Sequence, residues 1–288
     1  MNHAFLIQCH TSPLLVGLLI NKLKASNHFF FIHVDGKTEN YDEFLKYKSE
    51  NVFFTHKRYK VNWGAEEQIY LTLELLSLAS QSNIDFEYYH LISGQDLPIV
   101  SNVVFDDFFD SAAKHKFSFM ELDVKTKIED RFMLFHCNKI CNVRQSAFGH
   151  FWEEKVVNLQ RRVSRYVHFR MKFRLQPFKG NNWWSLNHMV VDYIMNYCKQ
   201  HPEYIQRFLF TSCCDEVFFH TIVFNSPLRS SIVLDDLRYV DWTASYEGES
   251  LPRILKEIDY SKIIKSKKLF MRKIDLSLSS SLINKIYK

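Results

Sequence analysis

Short apolar runs alternate with segments of helical periodicity along the first third of the chain. Between the runs, leucines recur at helical spacing over residues 12–25 and again over residues 63–79. A strand–helix alternation of this kind predicts an α/β fold with a mostly parallel sheet flanked by helices. The runs with the length and composition of buried strands are HAFLIQC (3–9), HFFFIHV (28–34), VFFTH (52–56) and FEYYHLIS (86–93).

Polar side chains follow these strands at their carboxyl ends. His10 comes after the first strand, Asp35 after the second, and Asp96 lies in GQDLPI, which we interpret as a turn after the fourth. Ligands of mostly parallel sheets bind beyond the carboxyl ends of the strands, so a nucleotide or sugar site is predicted there. The pattern leaves a second interpretation open, in which the histidine is structural and the two aspartates cap turns.

The segment SCCDEVFFHTIVFNS (212–226) places two adjacent carboxylates, Asp215 and Glu216, directly before an apolar run. Negative charge is favourable at the N-terminus of a helix, so the pattern predicts that a buried helix begins here. The same position suits a general base at the mouth of a pocket. Taken alone, the pattern favours a helix cap ahead of an ordinary core helix.

The middle of the chain, residues 104–174, is less regular. Residues 152–174 are basic and aromatic, and we expect a helix that lies on an anionic membrane or a nucleic acid, or a solvated helix with one core face. Trp183 and Trp184 precede a helix predicted to start near Asn187.

Composition narrows the class of protein. The chain has 288 residues, 47% of them apolar, with only 7 Gly and 6 Pro, which argues against disorder and long linkers. The formal net charge is +5, with the excess in residues 155–174 and 262–273, and it suits phosphate, nucleic-acid or membrane partners. No GxGxxG or GxxxxGK[ST] motif occurs, so neither a classical dinucleotide-binding fold nor a P-loop is supported.

The cysteines and the absence of targeting segments bear on location. The six cysteines contain no CxxC pair and are predicted to be reduced, buried thiols. Cys137 and Cys141 follow His136, but no second ligand pair stands at zinc spacing, so we expect them to be structural. No signal peptide and no apolar run of about 18 residues is present. We therefore expect a cytoplasmic protein.

Several motifs, in order, resemble the core-2 and I-branching enzymes of glycosyltransferase family 14. This family includes β-1,6-N-acetylglucosaminyltransferases and peptide O-xylosyltransferases, and the DE-x-FFHT segment is more similar to xylosyltransferase-like and bacterial members. The resemblance spans residues 4–275. The motifs are AFLIQCH, FFFIHVDGK, VNWGAEEQIYLTLELL, YYHLISGQDLPI, GNNWWSLN, DEVFFHTIVFNS, LRYVDW, PRIL and LFMRKID.

The resemblance implies a GT-A-like fold in a single domain over residues 1–288. Residues 1–110 would form the nucleotide-binding half, and residues 111–288 the acceptor and catalytic half. It also implies a nucleotide-sugar donor and an inverting mechanism without a divalent metal or other cofactor. The sequence is compatible with this, because the strand ends offer HVDGK, SGQD and FDDFFD and none of these is the DxD motif of metal-dependent members. Cations of the protein must then neutralise the diphosphate.

The resemblance also assigns roles to single residues. Glu216 matches the general base, and Asp215 is assigned to orientation or helix capping. Arg253 and Lys273 match the pyrophosphate ligands, with Lys267, Lys268 and Arg272 as close neighbours of the second. Asn182 departs from the acidic residue of some xylosyltransferase-like members. The remaining matches are His10 and Asp35 near the donor, and Trp183, Trp242, Glu121, Arg131 and Asp96 near the acceptor.

Together these features predict an inverting, metal-independent glycosyltransferase in cell-surface glycan biosynthesis. It would move GlcNAc or xylose from a UDP-sugar to a glycan or peptide acceptor. The alternatives are a peptide O-xylosyltransferase, a non-catalytic glycan-binding protein, and a nucleic-acid-binding protein that uses residues 155–174; no nucleic-acid partner is expected of the enzyme. Eukaryotic members of the family normally carry a membrane anchor, so we expect a bacterial cytoplasmic protein that touches the inner membrane through residues 155–174.

Overall fold

The computed structural model describes residues 1–125, 131, 133–136, 138–140, 147–163, 175–244 and 251–288. The strands within these ranges are β1 (His3–Cys9), β2 (His28–Val34), β3 (Val52–Phe54), β4 (Tyr88–Ser93), β5 (Leu97–Pro98), β6 (Ser118–Met120), β7 (Trp184–Asn187), β8 (Ile232–Val233), β9 (Arg238–Val240) and β10 (Phe270–Arg272).

Helices cover both faces of the strands. They are α1 (Pro13–Leu23), α2 (Tyr41–Leu45), α3 (Glu67–Ser80), α4 (Asn102–Lys114), α5 (Ala147–Val163), α6 (His188–Gln200), α7 (Pro202–Gln206), α8 (Asp215–Phe224), α9 (Tyr260–Lys265) and α10 (Ser280–Ile286). Short 3-10 helices lie at Pro227–Ser231 and Glu257–Asp259.

A large sheet organises the described residues, with seven strands in the order β3-β2-β1-β4-β7-β6-β8. β1 pairs in parallel with β2 and β4, and β2 with β3. β7 runs antiparallel to both of its neighbours, β4 and β6, while β6 and β8 are parallel. The predicted α/β fold with a mostly parallel sheet flanked by helices is therefore confirmed.

The strand β1 is buried on both faces, which explains the continuous apolar run from Ala4 to Ile7 within it. Ala4 and Leu6 face a core formed with α3, α6 and α8. Phe5 and Ile7, on the opposite face, pack into a second core with α1 and α4. Successive side chains of a strand point to opposite faces, so this one strand contributes side chains to both hydrophobic cores.

Two local predictions are wrong. The helix predicted over residues 63–79 begins only at Glu67, because Gly64 has φ +71° and its carbonyl accepts a hydrogen bond from the Cys213 N–H at 2.8 Å. GQDLPI contains more than a turn, since Leu97–Pro98 pairs with β10 at the edge of a second sheet, ordered β5-β10-β9. By contrast, Trp183 and Trp184 do precede a helix as predicted, and Trp184 also begins the strand β7.

Other predictions are confirmed within the described residues. Helices begin at His188, with Asn187 as the N-cap, and at Asp215. Cys9, Cys198, Cys213 and Cys214 are free thiols and buried, whereas Cys137 and Cys141 lie outside the described residues. The basic helix predicted over residues 152–174 is present as α5 as far as Val163. Residues 164–174 lie outside the described residues. Among the helices that the structure describes, none combines the length and the apolar character needed to cross a membrane.

A buried guanidinium joins the two sheets. Arg238, at the start of β9, lies under the large sheet and is only 3% exposed. It donates from Nη2 to the carbonyls of Leu91 in β4 and Trp184 in β7, both at 3.0 Å, and from Nη1 to the Ser185 hydroxyl at 3.2 Å and to the Asp236 carbonyl. These bonds fix the small sheet against the point where the large sheet changes strand direction.

We expect Arg238→Met to lower the free energy of unfolding by about 3 kcal/mol or more. Hydrogen bonds from a charged donor contribute about 1.5–3 kcal/mol each, and the substitution leaves buried carbonyls without a donor. Urea unfolding measures the change, and exposed Arg229→Met serves as the control. Equal stability of the two variants would contradict the role of Arg238.

Candidate active site

The carboxyl ends of β1, β2 and β4 meet at one edge of the sheet. Cys9 lies opposite Val34, and Gln8 lies opposite Ser93. Since β2 and β3 lie on one side of β1 and β4 lies on the other, the strand order reverses here, which is where open α/β sheets bind ligands.

Asp35 and His10 border this edge. The Asp35 carboxylate accepts a hydrogen bond from the Lys37 N–H at 2.8 Å, so it caps the turn after β2. Desolvation lowers the pKa of His10, and the positive charges of Lys273, Arg272 and Lys37 lower it further, against the opposing effect of Asp35. The ring of His10 therefore lies within the electrostatic reach of several cations.

Arg272 is held rigidly at the end of β10. Its Nη1 donates to Asp96 Oδ1 at 2.8 Å, and its guanidinium lies over the Trp183 ring, 4.6 Å from the centroid. Asp96 is fully buried, and its other oxygen accepts the Ser93 N–H at 2.8 Å. Asp96, predicted as an acceptor contact, thus orients a cation, and Trp183 forms the floor beneath it.

Arg253 is bound by two carboxylates. It donates from Nε and Nη2 to Asp241 Oδ2, at 2.9 and 2.6 Å, and from Nη1 and Nη2 to the two oxygens of Asp259. The hydrogen bonds that Arg253 donates to Asp259 and Asp241 raise the pKa of Arg253. The structure therefore places this predicted pyrophosphate ligand in an internal ion-pair cluster. Trp242, beside Asp241, is 54% exposed.

Glu216 lies in the first turn of α8, where the partial positive charge of the helix end favours a carboxylate. Arg131 Nη1 donates to Glu216 Oε2 at 2.6 Å, and Lys179 Nζ lies 3.6 Å from the same oxygen. Within the described part of the chain no contact falls on Oε1. The side chain is 30% exposed, and one oxygen of its carboxylate is anchored by the two cations.

Asp215 differs from the adjacent Glu216 in the surroundings of its carboxylate. Burial raises the pKa of Asp215 to about 7, and the adjacent charge of Glu216 adds to the shift. Successive residues of a helix project about 100° apart, so the two carboxylates point into different surroundings. Glu216 is paired with cations, whereas Asp215 is desolvated.

Residues 179–183 connect the carboxylate with the cations. Lys179 contacts Glu216, the Gly180 N–H donates to the Glu216 carbonyl at 3.0 Å, and Trp183 lies under Arg272. Four residues of extended chain reach at most ~14 Å, which bounds the separation between the backbones of Lys179 and Trp183. In this segment Asn182 is buried, and its Oδ1 has no hydrogen-bond partner among the described residues.

Glu121 and Arg131, both predicted near the acceptor, lie on the carboxylate side. Burial raises the pKa of Glu121, and the charges of Asp236 and Asp123 raise it further. A Cβ added to Gly180 would come within 2.1 Å of the Glu121 carbonyl, so the two segments touch. Lys179 was not predicted; the motif GNNWWSLN begins one residue after it, and only the fold shows that it reaches Glu216.

The fold is that of an α/β protein, and its charged side chains gather at the carboxyl edge of a mostly parallel sheet. The chain belongs to the Core-2/I-branching enzyme family, whose family model matches residues 3–265. The predicted membership of this glycosyltransferase family is confirmed.

Curated relatives agree with the family. The chain is 23% identical over 234 residues to "Xylosyltransferase oxt" of Drosophila melanogaster, covering 79% of this chain and 24% of that protein. It is 22% identical over 235 residues to "Xylosyltransferase sqv-6" of Caenorhabditis briggsae, covering 79% and 27%. The chain thus spans about a quarter of the length of these relatives.

Among solved structures, the chain is similar to the apo form of mouse xyloside xylosyltransferase 1. The TM-score is 0.39 at 9% identity, and the match covers 96% of this chain and 98% of that one.

We compare the free energy of unfolding of Asp215→Asn with that of the wild type. We expect the difference in favour of the variant to be about 1–3 kcal/mol larger at pH 8 than at pH 4. Folding raises the pKa of the Asp215 carboxyl from about 3.9 to about 7, so the folded state favours the protonated form. The stability of the wild type is therefore greatest below about pH 3.9 and falls as the pH rises towards 7. Asparagine does not ionise and escapes this loss. Urea unfolding at both pH values is the measurement.

Exposed Asp192→Asn on α6 is the matched control and should show no such difference between the two pH values. A stability difference for Asp215→Asn that is the same at pH 4 and pH 8 would contradict the raised pKa.

Proposed function

We propose that the protein is a metal-independent, inverting glycosyltransferase that moves a sugar from a UDP-sugar to an acceptor hydroxyl. The observation that carries this proposal is the position of Glu216, anchored through one oxygen by Arg131 and Lys179 and linked by residues 179–183 to the cation Arg272. A base and a cationic leaving-group site on one face are the parts that such a transfer needs.

In this mechanism Glu216 deprotonates the acceptor. The hydroxyl oxygen attacks the anomeric carbon from the face opposite to the diphosphate, and its proton passes to Glu216 Oε1. The new C–O bond forms as the bond to UDP breaks, which inverts the anomeric centre. Arg131 and Lys179 hold the carboxylate in one orientation before the attack.

The departing diphosphate requires positive charge. Lys273, matched to this role by the resemblance, and its neighbour Arg272 follow each other at the end of β10, and both charges act on His10. Arg272 is pre-oriented by Asp96 and Trp183, which lowers the entropy lost on binding. We assign Arg253 a structural role, in which it fixes the segment that contains Asp241 and Trp242. Its hydrogen-bond donors are already bound to carboxylates and do not need a phosphate.

Xylose or GlcNAc is the proposed sugar, on a glycan or peptide acceptor. The names of the relatives favour xylose and support a peptide O-xylosyltransferase as the second candidate. We also propose a role in cell-surface glycan synthesis and a cytoplasmic location. A thermal-shift panel of UDP-GlcNAc, UDP-xylose, UDP-glucose, UDP-galactose and UDP-glucuronate identifies the donor, because a bound ligand stabilises the fold by mass action. Release of UDP from that donor then separates an enzyme from a glycan-binding protein.

We predict that Glu216→Gln keeps donor affinity while kcat falls about 10²–10⁴-fold, since glutamine fills the same space but accepts no proton. Asp215→Asn is the matched comparison and should lose less, because Asp215 is assigned to the helix start. UDP release and calorimetric donor binding measure the two quantities. If Glu216→Gln kept a near-normal kcat while Asp215→Asn was inactive, Asp215 and not Glu216 would be the general base.

Lys273→Ala should weaken UDP binding by roughly 1.5–3 kcal/mol, about 10–150-fold, through loss of a charge-assisted contact. Arg253→Ala should instead lower the melting temperature, with UDP affinity of the folded protein little changed. Exposed Lys267→Ala on the same segment is the control and should bind UDP like the wild type. Wild-type affinity in Lys273→Ala would place the diphosphate elsewhere.

Transfer activity should survive EDTA, because protein cations take the place of a metal at the diphosphate. The assay is run at a temperature at which circular dichroism shows that the chelated protein is folded. Complete loss of activity in folded protein, with recovery on addition of Mn²⁺ or Mg²⁺, would exclude the metal-free mechanism.

A further inference from the structure

A second polar cluster lies at the opposite edge of the large sheet. His3 and His28 begin β1 and β2 and face each other in the register of the pair. Asp106 reaches them from α4, with its Oδ1 2.8 Å from His28 Nε2 and 3.7 Å from His3 Nε2. The length of β1 separates this cluster from the candidate active site by about 20 Å.

The hydrogen bonds around His28 fix its tautomer. Its Nδ1 lies 2.6 Å from the Leu23 carbonyl, which only accepts, so Nδ1 carries the hydrogen. In a neutral ring Nε2 then presents a lone pair towards Asp106 at 2.8 Å. Two acceptors at this distance need either a second proton on the ring or a cation between them.

His3 presents a buried nitrogen to the same place. Its side chain is fully buried, and Nδ1 lies 3.0 Å from His90 Nε2. Nε2 has no hydrogen-bond partner among the described residues, and Asp106 Oδ1 lies 3.7 Å from it. A buried polar atom without a partner costs about 1–3 kcal/mol, so a ligand at this point resolves an otherwise unfavourable arrangement.

We propose that His3, His28 and Asp106 bind a divalent transition-metal ion of the zinc class. The three ligand atoms all lie within 4.8 Å of one another. Bonds of about 2.0–2.2 Å in a tetrahedral site place ligand atoms about 3.4 Å apart, between the two distances observed here. Two imidazoles and one carboxylate are a donor set typical of zinc and its neighbours.

The surroundings of the cluster suit a metal. The Leu23 carbonyl orients His28, His90 lies against His3, and the Asn27 amide donates to the second oxygen of Asp106 at 3.2 Å. Such outer partners commonly orient metal ligands. Asp106 is 29% exposed, which leaves an entry path and room for a water as the fourth ligand.

The ion would join β1, β2 and α4 at the edge remote from the reaction. It is therefore a stabilising site, and its presence is independent of the metal-free transfer proposed above.

The test uses the full chain with a C-terminal affinity tag that contains no histidine. After EDTA treatment and dialysis, calorimetry with Zn²⁺ should show one site per chain, bound Co²⁺ should give visible ligand-field absorption, and Zn²⁺ should raise the melting temperature. Asn27→Ala should weaken Zn²⁺ binding about 10–100-fold, and Asp106→Asn by at least as much.

Asp107→Asn, the exposed neighbour on α4, is the matched control and should bind Zn²⁺ like the wild type. If the wild-type protein binds neither ion, or if its melting temperature does not respond to Zn²⁺, the cluster is an ordinary histidine–aspartate ion pair and the proposal is wrong. Undiminished binding in folded Asp106→Asn would place the ion elsewhere.

Discussion

The burial of Arg238 is the constraint on which the geometry of this protein depends. Desolvation lowers the pKa of its guanidinium to about 10, yet carbonyls from three segments and the Ser185 hydroxyl hold it. Because two of those carbonyls belong to β4 and β7, these hydrogen bonds form only when the two sheets are docked in one arrangement. The docked sheet carries Arg272, so the position of this cation at the candidate site follows from a hydrogen-bonding requirement in the core.

The site separates charges by giving each one a different kind of support. Glu216 is held by two cations at a helix end, and Arg272 by a buried carboxylate and an aromatic ring. Asp215 has lost most of its solvent, which makes the two adjacent carboxylates chemically unequal. Fixed placement of this kind favours electrostatic stabilisation, since side chains that must first be ordered give up part of their electrostatic gain.

Local pattern predicted the elements whose periodicity is strong, such as β1, β2 and the helix that begins at Asp215. It failed where structure depends on distant partners. The two-residue strand β5 exists because β10 lies beside it, and β7 is reversed because it fits between β4 and β6. Lys179 and Arg253 show the same limit for the site. Each is an unremarkable basic residue in sequence, and the carboxylate that it meets decides its role.

Because β7 runs in the reverse direction, insertions and deletions before it and after it fall at opposite edges of the sheet. Its first residue, Trp184, lies at the same edge as the carboxyl ends of the parallel strands, whereas its last, Asn187, lies beside Tyr88 at the other edge. An insertion or deletion just before β7 would therefore fall at the edge that carries the candidate active site, while one just after it would fall at the opposite edge of the sheet. Changes in the length of residues 175–183 are thus confined to one side of the sheet, beside Glu216 and Arg272.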